Sequence, residues 1–246
     1  MAIAAWRRIE TSPGYQRAKL ALKRLVGQEL NLKRELHVAC VNDGGWLYDA
    51  TKLDQNSVVY SFGIGDNIDF DLALIMRTHA QVHAFDPTPA ALSICDDDNL
   101  PPEFHFHAWA VAGQDGHLTL YPRVGKRGGA SDVMYTLVAD ESVRNNGLEV
   151  PAYTIPTIFA KLGHSHIDLL KMDIEGAEYD ALDQLLRSPL RPEQLLVEFH
   201  HRFSEIGPDR TRQLIGRLKT AGYQIFAVSD MGRELSFLHQ KRGRIQ

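Results

Sequence analysis

From residue 57 onward, short apolar runs alternate with stretches of helical periodicity, and the alternation predicts strands and helices in turn. Residues 57–65, SVVYSFGIG, read as a buried strand running into a glycine turn. A helix over 67–79 and a second strand over 81–87, QVHAFDP, complete a βαβ unit. A short helix over 89–95, a strand over 104–112 and an added strand over 116–121 come next. A strand over 150–154 and a helix over 155–162, started by Pro156, precede the most informative stretch. That stretch is 167–182, IDLLKMDIEGAEYDAL. Its apolar run passes through Lys171 and Met172 into Asp173, and Gly176 then opens a helix with Ala177, Ala181, Leu182, Leu185 and Leu186 on one face. A fifth core strand over 194–200, an amphipathic helix over 209–221 and a hairpin over 223–228 and 234–239 close the pattern.

This order predicts a three-layer α/β/α fold with a Rossmann-like, mostly parallel sheet and a C-terminal antiparallel hairpin. The hairpin separates it from a plain dinucleotide fold, which ends in a parallel strand. Two regions are expected, a helical appendage with a short hairpin over 1–56 and the main domain over 57–246. Tyr15, Ala18, Leu22, Leu25 and Val26 recur at helical spacing among basic residues, so 16–32 is expected to be an amphipathic helix packed on its own domain rather than on a membrane or partner. After the turn Asp43-Gly44-Gly45, Trp46 to Tyr48 suit a short strand or a cover for a ligand mouth. Residues 123–150 break every pattern and read as a long loop, either a lid or substrate segment in which Lys126 and Arg127 meet an acidic group or a solvated loop tip.

Candidate chemistry gathers at the carboxyl ends of the strands, where open α/β sheets bind ligands. Gly63 and Gly65 permit a tight turn and a close backbone approach. Asp86 ends the next strand about 20 residues later, where a carboxylate can accept ribose hydroxyls. The turn is not GxGxxG, and Asp66, followed by Asn67, would repel a pyrophosphate but suit a cationic ligand. Asp173 follows a buried strand, a costly place for a carboxylate that nothing uses. Glu175 and Glu178 fall in the first helical turn, and Glu178 reads as a helix cap. His200 and Glu198 share one side of the fifth strand. Asp173 and His200 at neighbouring strand ends form a candidate base pair for releasing a hydroxyl proton. The same two with Glu198 suit a divalent cation, ranked below the plain base because no third carboxylate is in register. His105 and His107 read as polar strand residues and the run Asp96-Asp97-Asp98 as a solvated loop.

The segment KMDIEGAE closely resembles the signature of the FkbM-type methyltransferases, and the resemblance extends from about Val58 to about His200. It implies a Rossmann-like enzyme that uses S-adenosylmethionine, which carries a sulfonium and an ammonium group and no phosphate. On that resemblance Gly63, Gly65, Asp66, Asn67, Asp86, Ala110 and Asp173 hold the cofactor, with Trp109 near the adenine. The acid that usually precedes the first glycine is replaced by Ser61 or Gly63, which leaves Asp66 and Asp173 as candidates for the methionine amine. The implied reaction is O-methylation of a hydroxyl on a small molecule or saccharide. The alternatives are an NAD-dependent oxidoreductase on a related sheet and a non-catalytic interaction module that keeps the fold.

Composition narrows this further. The 246 residues suffice for one sizeable α/β domain, with 44% hydrophobic and 24% charged residues. A net charge of -4 argues against nucleic acid as a partner. No stretch approaches the length of a membrane span. The opening MAIAAWRRIETSPGY lacks the apolar core of a secretory signal, and the two cysteines, Cys40 and Cys95, suggest a reducing compartment, so the cytoplasm is the expected location. Irregular loops carry no chemical code for the acceptor, and oligomeric state is not written in the pattern.

Overall fold

The computed structural model describes residues 13–25, 27, 29–124, 130–136, 141–203 and 205–240. Lys126 and Arg127, and the side chains of Ala18 and Val26, lie outside the described part. In chain order the chain forms α1 (Pro13–Leu25), the hairpin β1 (Val41–Asp43) and β2 (Trp46–Tyr48), β3 (Val58–Phe62), α2 (Asp69–Thr78), β4 (Gln81–Phe85), α3 (Pro89–Ile94) and β5 (Phe104–His107). Next come β6 (Ala110–Val111), β7 (Gly116–Val124), β8 (Ala130–Thr136), β9 (Leu148–Tyr153), α4 (Ile155–Leu162) and β10 (Leu169–Met172). The last elements are α5 (Glu178–Arg187), β11 (Gln194–Glu198), α6 (Gly207–Thr220), β12 (Tyr223–Val228) and β13 (Glu234–His239).

The central sheet has seven strands in the order β12-β13-β11-β10-β3-β4-β5. From β5 to β11 all neighbours are parallel, and β13 is antiparallel to both β11 and β12, as the apolar runs and final hairpin predict. The chain starts at β3, steps outward to β4 and β5, then returns to lay β10 against the other side of β3. A crevice opens at that reversal, outside the carboxyl ends of β3 and β10.

Alternation along the strands feeds two cores. Tyr60, Phe62, Leu170 and Met172 pack with Ile155 and Ile158 of α4, Leu182 and Leu185 of α5, and Leu214 and Leu218 of α6. Val59, Leu169 and Leu196 face Phe70, Leu74 and Ile75 of α2 together with Trp46, Tyr48 and Leu53. Parallel strands buried on both faces account for the near-continuous apolar runs in sequence. Residues ahead of Ser57 join these layers: Glu35 and Leu36 donate backbone bonds to Ile225 O and cover the edge strand β12. No described helix is long and apolar enough to cross a membrane.

Three elements differ from the pattern reading. The first helix spans Pro13–Leu25 instead of 16–32, and Gly27, at φ 73, turns the chain soon after it. Among its described side chains Leu20 is the buried one, while Leu22 and Leu25 of the expected apolar face are 62% and 84% exposed. The expected strand over 104–112 divides: β5 stays in the central sheet, while β6 pairs with β9 in a second sheet of order β6-β9-β7-β8. Residues 123–150 are not one loop, because β8 pairs antiparallel with β7 and a 3₁₀ turn, Glu141–Asn146, leads into β9. The glycines that mask this periodicity lie largely between the paired segments.

A histidine stack marks the β4–β5 edge. His83 Nδ1 and His107 Nε2 are 3.1 Å apart, so one ring donates and the other accepts. His105 and His164 flank His83, with centroids 4.7 and 4.5 Å away, His105 contacts Gln81, and His164 Nδ1 meets the Tyr60 hydroxyl. Burial, aided by the neighbouring imidazoles, pushes His83 down to about 3 and His107 down to about 4. The unfolded chain takes up these protons near the ordinary value of 6.5, so stability is complete above it and is lost as pH falls from there through the depressed values. The melting temperature is therefore expected to fall steeply between about pH 6 and about pH 4, and less steeply in His83→Phe. Equal slopes in the two proteins would show that the stack carries no titration linkage.

Candidate active site

The turn after β3 is fixed by contacts to the ends of β4 and β10. Gly63 N donates to Phe85 O, and the Lys171 ammonium donates to Gly63 O at 2.6 Å. Gly63 and Gly65 take φ of 76 and 56, a region open to glycine. Asp86 locks the turn: Oδ2 accepts from Ile64 N at 3.1 Å and Gly65 N at 2.9 Å, and Oδ1 accepts from Thr88 N at 2.8 Å. A carboxylate offers about four acceptor sites. Three backbone donors therefore leave Asp86 room for one further hydroxyl, where the sequence reading allowed two.

This turn forms one wall of a cavity of about 440 Å³ in the crevice between β3 and β10. Gly63, Gly65, Asp66, Asn67, Asp86, Ala110 and Asp173, the seven residues named from sequence for a cofactor, all line it. Phe85, Trp109 and Trp46 add aromatic surface, and Leu118, Leu120 and Tyr135 of the β7–β8 ribbon roof it. Asn67 also has a local task, its Oδ1 accepting from Asp69 N at 2.7 Å at the start of α2. Lys171 is the sole basic residue among the described lining, and its ammonium is engaged by Gly63 O, against the acids Asp66, Asp71, Asp86, Asp173 and Glu175. Such a wall receives a cationic or neutral ligand and opposes a pyrophosphate.

The segment 173–177 turns through two left-handed residues, Glu175 at φ 49 and Gly176 at φ 105. A glutamate in that region is uncommon, and here the turn swings its carboxylate back under the sheet edge. There it accepts from Arg123 Nη1 at 2.8 Å and lies 3.6 Å from His200 Nε2. Glu178 is fully buried. Its Oε2 accepts from Gly176 N at 2.8 Å, while its Oε1 accepts from His200 N at 2.9 Å and lies 3.2 Å from His200 Nδ1. Glu178 is thus a tie between two strand ends, not the simple helix cap expected. Its periodic place with Ala181, Leu182 and Leu185 on the buried face of α5 was the available signal.

His200 sits behind Asp173, 3% exposed, and does not itself line the cavity. Its Nε2 is 3.7 Å from Asp173 Oδ1 and 3.9 Å from Glu198 Oε1. The structure therefore joins Asp173 with His200, as the strand order predicts, and adds Glu175 as the third carboxylate missing from the sequence reading. Burial alone would lower the His200 pKa, but the Glu178 hydrogen bond and charge, with Glu175 and Glu198, raise it. Burial, reinforced by Asp173, pushes Glu198 up to about 7, and burial likewise raises Glu175 against the pull of His200 and Arg123. Trp46 lines the cavity whose mouth the sequence reading allowed it to cover, whereas nothing in the sequence pattern marked Arg123, which arrives on an element outside the central sheet.

The family model described as the methyltransferase FkbM domain matches residues 47–225. The probable methyltransferase-like protein 24 of Homo sapiens is 25% identical over 145 residues, which are 58% of this chain and 32% of that protein. The chain thus matches about a third of the length of this curated relative. Among solved structures, the methyltransferase FkbM from Methylobacillus flagellatus has 16% identity and a TM-score of 0.49, covering 76% of this chain and 44% of its own. Aeropyrum pernix fibrillarin, in complex with S-adenosyl-L-methionine, has 11% identity and a TM-score of 0.38, covering 84% of this chain and 83% of its own.

Proposed function

The chain belongs to the FkbM-domain methyltransferases, and from that premise we propose that it methylates a hydroxyl oxygen of a small molecule or saccharide with S-adenosylmethionine. The observation that carries this reading is the acidic cavity of about 440 Å³ ending at a carboxylate backed by a buried imidazole. Its size lies within the ordinary range for ligand pockets, and its donor set suits a ligand with two cationic groups and no phosphate. The proposed catalytic unit is 57–246, with Gly44 and Trp46 of the preceding hairpin closing one side of the cavity. The free thiols of Cys40 and Cys95 favour a reducing compartment such as the cytoplasm.

When bound, S-adenosylmethionine supplies an electrophilic methyl group on its sulfonium sulfur. Gly63 and Gly65 would let the backbone approach it, Asp86 would hold one ribose hydroxyl, Asp66 or Asp173 would face the ammonium group, and Ala110 would border the adenine. On the acceptor side, Asp173 orients the hydroxyl from the cavity, its side chain 34% exposed. Asp173 lines the cavity and His200 does not, so Asp173 Oδ1 would accept the hydroxyl proton while His200, whose pKa the neighbouring carboxylates raise, steadies that carboxylate from behind. This reassigns His200 from base to positioning group. Orientation supplies much of the rate in an in-line displacement, and the rigid turn at 173–177 provides it.

The test is label transfer. Incubation with methyl-labelled S-adenosylmethionine and a panel of sugars and hydroxylated small molecules is expected to give an O-methyl resonance in the product. Label found solely on nitrogen or carbon would overturn the hydroxyl assignment.

A further inference from the structure

We propose that Asp173, Glu198 and His200 form a divalent-cation site at the acceptor end of the cavity, suited to a first-row ion such as Mn2+. One ligand atom from each of the three residues lies within 4.8 Å of the others. Donors around an ion with bonds of about 2.1 Å stand about 3 to 4 Å apart, so a small contraction of the two carboxylates completes the set. Two carboxylates with one imidazole favour a first-row ion over calcium, which prefers an all-oxygen shell.

The histidine distinguishes this place from an ordinary acidic cluster. His200 is 3% exposed and is held by the fully buried Glu178 on its Nδ1 side. With the Nδ1 proton given to Glu178, Nε2 directs a lone pair toward Asp173, Glu175 and Glu198 at 3.7, 3.6 and 3.9 Å. Among the described residues none lies within hydrogen-bond distance of Nε2. A lone pair facing three carboxylates is stable when a positive charge lies between them. A divalent ion would supply that charge. The Glu178–His200 contact is the outer-shell carboxylate that metal-bound histidines generally use to fix tautomer and orientation.

Charge points the same way. Asp173, Glu175, Glu178 and Glu198 surround one imidazole, and the guanidinium of Arg123 is engaged by Glu175 at 2.8 Å. The open side of the site faces the cavity through Asp173, which leaves coordination positions for water or an acceptor oxygen. The consequence for catalysis rests on the methyl-transfer reading: a hydroxyl bound there would release its proton more readily. The site itself stands on donor geometry alone.

The experiment is Mn2+ titration of the full chain without S-adenosylmethionine, following the electron paramagnetic signal of the free ion. Saturable binding of about one ion per chain is expected, with spin-echo modulation from one imidazole nitrogen. Glu198→Gln is expected to weaken binding at least about tenfold, and His200→Gln to remove the modulation. Absence of saturable binding, binding unchanged in folded Glu198→Gln, or bound Mn2+ without nitrogen coupling in the wild type would each overturn the site. A parallel S-adenosylmethionine titration keeps the two readings apart: cofactor binding without Mn2+ binding refutes the cation site alone, and the reverse refutes the cofactor reading alone.

Discussion

Gly63→Ala is expected to abolish S-adenosylmethionine binding and to lower the melting temperature by about 6 to 12 °C, which corresponds to about 3 kcal/mol for a chain of this size. An alanine Cβ at this position would lie 1.7 Å from Asp173 O and 2.7 Å from Asp173 C, so it meets backbone and not a movable side chain. The φ of 76 adds about 1–2 kcal/mol for any residue with a Cβ. The two turns that flank the crevice would have to separate, breaking the Lys171 ammonium bond to Gly63 O and displacing Asp173. Differential scanning fluorimetry and calorimetric titration read the two effects separately. Wild-type melting and cofactor affinity in the variant would contradict the close packing of β3 and β10 ends.

Glu178→Ala carries the second large effect, a loss of about 4 kcal/mol and 8 to 16 °C in melting temperature. Truncation leaves His200 N without its acceptor inside the core and Gly176 N without its acceptor at a half-buried turn, and removes the partner of His200 Nδ1. Each buried donor left unpaired costs about 1–3 kcal/mol. Glu178→Gln retains one acceptor oxygen but turns an amide donor toward a backbone N–H, so it should fall between alanine and wild type. A melting temperature within about 2 °C of wild type in Glu178→Ala would show that the turn at 173–177 holds itself without this tie.

Much of this arrangement was legible in the chain because strand-end chemistry and burial leave opposite marks. The apolar runs at 58–62 and 169–172 identify inner strands, so the first polar residues after them, Gly63 and Asp173, fall at the working edge. The C-terminal hairpin follows from two six-residue strands around Asp230-Met231-Gly232. Two kinds of residue escaped. Glu178 was hidden by its own chemistry, because a glutamate in the first turn of a helix satisfies the dipole and invites a surface reading. Its helical phase with Leu182 and Leu185 contradicts that reading once phase is weighed above residue type. Arg123 was hidden by distance, since it belongs to the ribbon that folds over the crevice from outside the repeat. The extended pairing of β7 and β8 was obscured in the same way, by glycines near 125–129 that read as a break in both directions.

Asp86 teaches a related point. Its position after the second strand announced a ligand-facing carboxylate, and the structure does place it in the cavity wall, 6% exposed. Yet most of its acceptor capacity goes to Ile64 N, Gly65 N and Thr88 N, so the same side chain builds the glycine turn it was expected to complement. Spacing reveals where an acid lies and leaves open which donors reach it first.

The central claim, that this acidic crevice holds a sulfonium cofactor, is tested most directly by calorimetric titration of the folded protein with S-adenosylmethionine, S-adenosylhomocysteine and NAD. The account predicts one-site binding of the first two at micromolar affinity and no heat from NAD. Saturable binding of NAD with no binding of either sulfur ligand would contradict it.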